Sequence, residues 1–297
     1  MACDQLNKLI WITDTINRHG SISRAALSDL WMKSPLSDGN PIPHRSFFSY
    51  RRRIEEQLGV TIRCNSANEY YIDKAETLHD DALRSWVLDS YAMRSLLDDN
   101  RDIAPHIHVE SVPSAREYLA PVLRAIRSKV NITFDYTPFN RLRADTGIEF
   151  SPYFVKLFRQ RWYMVGLRVA DGQIRTYALD RVGDLSLTAH EFTMPGGLTA
   201  NDYFADLFGI TQSHAPAAAV KLRVEPETSK FLRALPLHAS QSEEQFSEFS
   251  IFTYRIKITD DFIRHLLSLG SKVEVLLPES LRLLMAKNLK EALSHYE

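Results

Sequence analysis

At 297 residues the chain has room for two or three domains with a sizeable core, and its 44% hydrophobic and 25% charged content is ordinary for a globular protein. A net charge of −1 excludes a globally basic surface, so any contact with nucleic acid must be local. Cys3 and Cys64 are too few for a disulfide framework and too isolated for zinc. No apolar run reaches the roughly 20 residues of a membrane span and no signal pattern opens the chain, so a cytoplasmic protein without membrane contact is expected.

Leu6, Leu9, Ile10, Ile12 and Ile16 recur at helical spacing and predict a first helix over 5–19, closed by His19-Gly20. Ser23 is a good N-cap for a second helix over Arg24–Met32. Residues 34–41 read as loop, and Pro43 can open a third helix that runs through Ile54 to Leu58 before Gly59 stops it. Strands are expected over Val60–Arg63 and Tyr70–Ile72. Three short helices followed by a hairpin is the order of a winged helix-turn-helix, here over residues 1–74.

The third helix carries the first candidate site. Phe47, Tyr50, Ile54 and Leu58 share the side that should pack on the first two helices. The opposite side presents Arg45, Phe48, Ser49 and Arg52, with Ser46, Arg51 and Arg53 beside them, and four arginines precede the first acid, Glu55. Long cations for phosphates and guanine edges, with small hydroxyls for close approach, suit a helix that reads DNA. The plain alternative is a solvated amphipathic helix used in protein contacts. Residues 1–74 hold ten Lys or Arg and eight Asp or Glu, a net of only +2.

Residues 75–128 are expected to be a helical linker. A helix from Ala75 to about Leu97 is the expected coupler between domains, and a second over 115–127 carries an apolar face of Leu119, Val122, Leu123 and Ile126. His106-x-His108 near Glu110 imitates part of a metal site but lacks a third ligand at usable spacing, so no metal is assigned.

Strands are expected between about Val130 and Phe192, in a further domain over 129–195. Within it, Arg161–Leu167 and Ile174–Arg181 flank Asp171-Gly172, a strong two-residue hairpin signal. That loop sets Trp162 opposite Arg181, Met164 opposite Leu179, Gly166 opposite Tyr177 and Arg168 opposite Arg175. One face then gathers Trp162, Arg168, Arg175, Tyr177 and Arg181, while Tyr163, Val165, Leu167, Thr176 and Ala178 read as core. Interleaved cations and aromatics suit an anionic, stackable ligand; a solvated sheet face fits the pattern equally. After a break at Met194–Gly197, residues 217–297 alternate strands and helices, which suggests a ferredoxin-like unit in an α+β multidomain chain.

Arg161-Trp162-Tyr163-Met164, followed by Arg175-x-Tyr177-x-Leu179-Asp180-Arg181, resembles the signature of the WYL-domain transcriptional regulators. These are bacterial proteins in which a winged helix-turn-helix precedes a small Sm/SH3-like β-barrel, often with a C-terminal extension. Met164 stands where the family has Leu, a swap that conserves volume. Ile132–Tyr136 and Ser151–Lys156 resemble the family's first two barrel strands. The resemblance implies a barrel that senses nucleotides or nucleic-acid ends, with ligand contact at Arg175 and Tyr177 and further contact at Tyr153, Lys156 and Arg181; Arg159 is counted in the same candidate site. For Arg181 a structural ion pair with Asp180 is the competing role.

The sequence thus points to a ligand-responsive DNA-binding transcriptional regulator, with repression the expected mode and a homodimer the expected state. Its expected partners are a double-stranded DNA operator and an anionic nucleotide or single-stranded nucleic-acid effector. The alternative is a nucleic-acid-binding accessory protein that modulates a partner enzyme without an operator of its own. No Gly-x-Ser-x-Gly, Walker or dinucleotide glycine pattern occurs, so no catalytic residue and no cofactor is assigned.

Overall fold

A computed structural model describes residues 2–37, 39–73, 101–108, 112–113, 115–139, 141 and 143–297, together with Ser90, Met93 and Leu97. The chain divides into two compact units, Met1–Glu110 and Ser111–Glu297. The coupling helix expected from Ala75 to Leu97 lies, apart from Ser90, Met93 and Leu97, outside the described residues.

The first unit runs α1 (Ala2–His19), β1 (Ser21–Ser23), α2 (Arg24–Met32), α3 (His44–Leu58), β2 (Ile62–Cys64) and β3 (Glu69–Ile72). The Ser23 hydroxyl accepts from the Ala26 N–H at 3.2 Å, so the residue that caps α2 also ends β1. Gly59 stops α3 in the left-handed region at φ +61°, its N–H returning to the Glu55 carbonyl. The strands form one antiparallel sheet in the order β1-β3-β2. Strand β1 was not expected: three residues carry no periodicity, and only pairing with Glu69–Tyr71 defines it. Leu9, Ile12 and Ile16 of α1, Leu27 and Trp31 of α2, and Phe47 and Ile54 of α3 make the core. In the β2–β3 turn, Asn65 Oδ1 accepts from the N–H groups of Ala67 and Glu69, both at 2.9 Å. The Glu69 carboxylate accepts from Asn65 Nδ2 and the Ser21 hydroxyl, which tie the turn to β1 and hold that carboxyl below its ordinary range.

The second unit opens with α4 (Arg116–Ser128) and five strands, β4 (Val130–Tyr136), β5 (Asp145–Phe158), β6 (Arg161–Arg168), β7 (Gln173–Ala178) and β8 (Val182–Glu191), hydrogen-bonded in the order β7-β6-β5-β4-β8. Strands β7 and β8 are the two edges, yet only the 3-10 turn Leu179–Arg181 joins them. Three residues reach about 10 Å, whereas a flat five-stranded sheet is about 19 Å wide. The sheet must therefore curl until its edges approach, which makes a small barrel. Phe134, Phe150, Met164, Tyr177 and Leu179 fill it, and α4 seals it with Val122 and Ala125. The helix expected in the linker is thus part of the barrel's core, and Leu123, expected on its apolar face, is 44% exposed.

The β6–β7 hairpin corrects the expected register. Arg168 pairs with Gln173, Gly166 with Arg175 and Met164 with Tyr177, so the loop is the four residues 169–172. The Gly172 N–H closes this longer turn onto the Arg168 carbonyl, and on the other side of β6 the Val169 N–H extends the pairing with β5 to the Glu149 carbonyl. A slip of two residues keeps every side chain on its expected face. What changes is the meaning of the faces. The side carrying Trp162 and Tyr177 looks into the barrel core. The side carrying Val165 and Leu167 is covered by Phe192, Met194, Leu198 and Tyr203 from the segment after β8.

That segment contains the short helix α5 (Ala200–Phe204) and leads to β9 (Ala218–Val224), α6 (Pro226–Ala234), β10 (Ser242–Gln245), β11 (Ser250–Ile256), α7 (Asp260–Ser268), β12 (Val273–Leu277) and α8 (Glu279–Leu293). The sheet order is β10-β11-β9-β12, all antiparallel. Strand β10, Ser-Glu-Glu-Gln, was not expected; it is held by β11 and by a bidentate fork from Arg233 to Glu243 at 2.8 and 2.6 Å.

Candidate functional site

On α3, Phe47 and Ile54 are fully buried, and Arg45, Phe48, Ser49 and Arg52 are exposed on the other side, with Ser46, Arg51 and Arg53 half-buried. Arg52 is offset by Glu56 at 3.4 Å, a contact between two well-exposed groups and so a weak one. No carboxylate pairs with Arg45, Arg51 or Arg53 among the described residues. The stripe Arg45, Ser49, Arg52 spans two helical turns and presents two guanidinia around a hydroxyl. Phe48, 41% exposed, packs its ring on His44 at 4.9 Å.

The six expected ligand residues of the barrel do not converge. Tyr153 is buried between Phe154 and Phe192. Tyr177 is 8% exposed, edge-on to Phe134, Tyr136 and Phe150, so its ring serves the core. Lys156 donates to the Gly209 carbonyl at 2.6 Å and lies 4.1 Å from the centre of the Phe204 ring. Arg159, at φ +48° in the β5–β6 turn, donates to His265 Nδ1 at 3.2 Å. Arg175 pairs with Asp171 at 2.9 Å within its own turn, and Arg168 reaches the same carboxylate at 3.7 Å.

Burial pushes the Lys156 ammonium down to about 8 from its ordinary 10.5, with Asp261 pulling the other way. Between those values the unfolded chain holds more proton at this site than the folded one, so stability rises with pH across that window. Relative to Lys156→Met, the wild type should gain unfolding free energy as pH rises from about 8 toward 10.5. Paired denaturation curves across that range check this, and a flat difference would contradict it.

Arg181 does gather partners, though not the expected one. Asp180 forms a close ion pair with Arg161, and Arg181 stacks its guanidinium 3.9 Å from the centre of the Phe139 ring and 5.4 Å from that of Tyr136. Arg161 also approaches Phe139, at 5.6 Å. Arg161 Nε, Arg181 Nε and Asp180 Oδ1 are buried without a hydrogen-bond partner among the described residues. An open groove of about 470 Å³ runs beside them, lined by Asp135, Pro138, Phe139, Asp180 and Arg181. Phe139 and Arg161 were missed from sequence; the available signal was an aromatic residue, 78% exposed, in a proline turn after the first barrel strand. Among the described residues no cluster of three or more His, Cys, Asp or Glu could hold a metal, and no helix is long and apolar enough to cross a membrane.

Residues 117–187 match the WYL domain and residues 216–293 the WCX domain, together about half of the chain. The chain thus carries a WYL domain followed by a WCX domain. Among solved structures it is similar to the proteasome accessory factor B/C (PafBC) of Arthrobacter aurescens, at 19% identity and a TM-score of 0.35, covering 98% of this chain and 46% of that one. It is also similar to a CRISPR Cas-related protein, at 12% identity and a TM-score of 0.38, covering 84% of this chain and 71% of the other. The chain thus spans less than half the length of the PafBC chain. No curated protein matches it.

Proposed function

We propose that this protein is a DNA-binding transcriptional regulator that uses α3 to contact duplex DNA and its barrel to sense an anionic effector. The observation that carries the reading is the exposed face of α3, with Arg45, Ser49 and Arg52 in one stripe and Arg51 and Arg53 beside it. Supporting it, the order of α1 to β3 and the β1-β3-β2 sheet are those of a winged helix-turn-helix, with the β2–β3 hairpin as the wing. The barrel is read as Sm/SH3-like, and the β-α-β-β-α-β succession from β9 to β12 as ferredoxin-like. A head of net charge +2 binds better in pairs, so the active species is a homodimer on a palindromic operator.

The first test is titration of a labelled duplex at several salt concentrations. Affinity should fall with salt at a log–log slope of about −0.9 for each phosphate neutralised, and Arg51→Ala should flatten the slope by about one such contact. Absence of duplex binding even at low salt would remove the proposal.

For the effector, the Phe139–Arg181 groove replaces the Arg175–Tyr177 pair as the site, because it offers a ring face and guanidinium donors together. Arg181→Ala should abolish the effect of nucleotides and short single strands on DNA binding while basal affinity stays the same. Equal responses of wild type and variant would assign Arg181 a structural role alone.

A further inference from the structure

Between the β6–β7 turn and the segment leading to β9 lies a second cleft, of about 370 Å³. Its walls are fixed from both sides. Leu207 bridges to Lys257, whose N–H donates to the Asp206 carbonyl at 2.8 Å. The Thr176 hydroxyl donates to the Ile210 carbonyl, and the Asp261 carboxylate accepts from the N–H groups of Ile210 and Thr211, both at 2.8 Å. At the end of this well-bonded run one donor is left bare: Gln212 Nε2 is buried and has no partner among the described residues. A buried amide donor without an acceptor forfeits its hydration and gains nothing in return, so each one in a native fold calls for an explanation.

The cleft around it supplies one. Ile174 and Leu207 give an apolar floor, and Tyr203 and Lys257 line it with Gln212. The Tyr203 ring is held by Phe154 at 5.5 Å and Phe204 at 4.9 Å, and burial pushes its hydroxyl up to about 12, which keeps it a donor at neutral pH. Lys257 has no carboxylate partner among the described residues. The one carboxylate of the lining, Asp202, already accepts the Thr199 hydroxyl at 2.6 Å. The Tyr203 hydroxyl and the Lys257 ammonium therefore line a small space with an apolar floor, and Asp202, the one acid of the lining among the described residues, keeps its charge but is held by Thr199.

We infer that this cleft binds a small organic anion, its oxygens meeting the Tyr203 hydroxyl, Lys257 and, once the Gln212 amide turns its buried nitrogen toward the cleft, Gln212 Nε2, and its apolar body resting on Ile174 and Leu207. The volume falls at the low end of the roughly 300–1,000 Å³ of small-molecule sites, which suits a ring-sized acid better than a nucleotide. The site shares no lining residue with the Phe139–Arg181 groove. Its walls come from the WYL domain, from the WCX domain and from the segment between them, so an occupant ties all three together. The inference does not depend on DNA binding.

Benzoate and phenyl phosphate, the carboxylate and phosphate forms of one ring, are suitable probes, with benzyl alcohol as the uncharged control. Titrated calorimetrically into the full chain, at least one anion should bind at one site per chain and raise Tm, and benzyl alcohol should do neither. Gln212→Leu and Lys257→Met should each weaken the anion by about tenfold or more, the effect of losing a charge-assisted hydrogen bond. Gln212→Leu should also melt no lower than wild type, because it removes a bare buried donor. If neither anion binds, or both variants bind as wild type does, the inference is overturned. Binding that survives in both and is lost in Arg181→Ala moves the ligand to the other groove and overturns it equally.

Discussion

Gly166→Ala is expected to cost the Ser111–Glu297 unit at least about 3 kcal/mol, and to lower its melting temperature by roughly 6–12 °C for a unit of that size. The reason is local to β6. Gly166 lies opposite Pro152, where β5 bulges between Pro152 and Phe154. A Cβ at this position would collide with the Ser151 carbonyl oxygen and stand 2.9 Å from both the Phe150 ring and Pro152 Cα. Two of these neighbours are backbone and the third is a fully buried ring, so none can step aside as a flexible side-chain end would. Calorimetric melting measures the effect; an unchanged transition of this unit would mean that the bulge opens more easily than its packing indicates. The first unit has its own core and should melt as before.

The largest functional effect is expected on α3. Arg45→Ala and Arg52→Ala should each cost about 1–3 kcal/mol of operator affinity if the guanidinium reads a base, and the double variant should lose the two contributions nearly additively across their two-turn separation. Both side chains are exposed and neither supports the core, so folding should be unaffected. The pattern of loss carries as much information as its size. A base-reading arginine relaxes specificity at one position, whereas a phosphate contact weakens all sequences alike. Binding of cognate and scrambled duplexes by the single variants separates these cases. Wild-type affinity in the double variant would assign the helix to protein contacts.

The parts of the fold that could be read in advance are those that short-range chemistry decides. Ser23 caps α2, and Gly59 closes α3 in a conformation that favours glycine, so these boundaries were visible in the residues themselves. Elements defined by distant partners were not. Strand β10 is polar throughout and exists because β11 and Arg233 hold it. The β5–β6 turn places Arg159 and Gln160 at φ +48° and +62°, although neither residue announces a tight hairpin. The β6–β7 turn shows the converse: Asp171-Gly172 announces a two-residue loop, and the ladder instead ends at Arg168 and Gln173, with the Gly172 N–H closing onto the Arg168 carbonyl.

The candidate sites divide along the same line. The cationic stripe of α3 follows from helical periodicity and needs no knowledge of the rest of the chain. Three of the six barrel residues behave otherwise, claimed by something far away in sequence: Lys156 by Gly209, Arg159 by His265, and Tyr177 by a ring cluster from two other strands. The Phe139–Arg161–Asp180–Arg181 group joins three segments that only the curled sheet brings together.

Selection of duplexes from a random pool, run side by side with the wild-type chain and with Arg45→Ala/Arg52→Ala, asks most directly whether α3 reads DNA. The wild type should enrich a two-fold symmetric site whose half-sites lie about one helical turn apart, and should bind it as a species of twice the 34.1 kDa chain mass. The variant should enrich nothing above background. Enrichment of the same site by both proteins, or of no site by the wild type, would contradict α3 as the reading element.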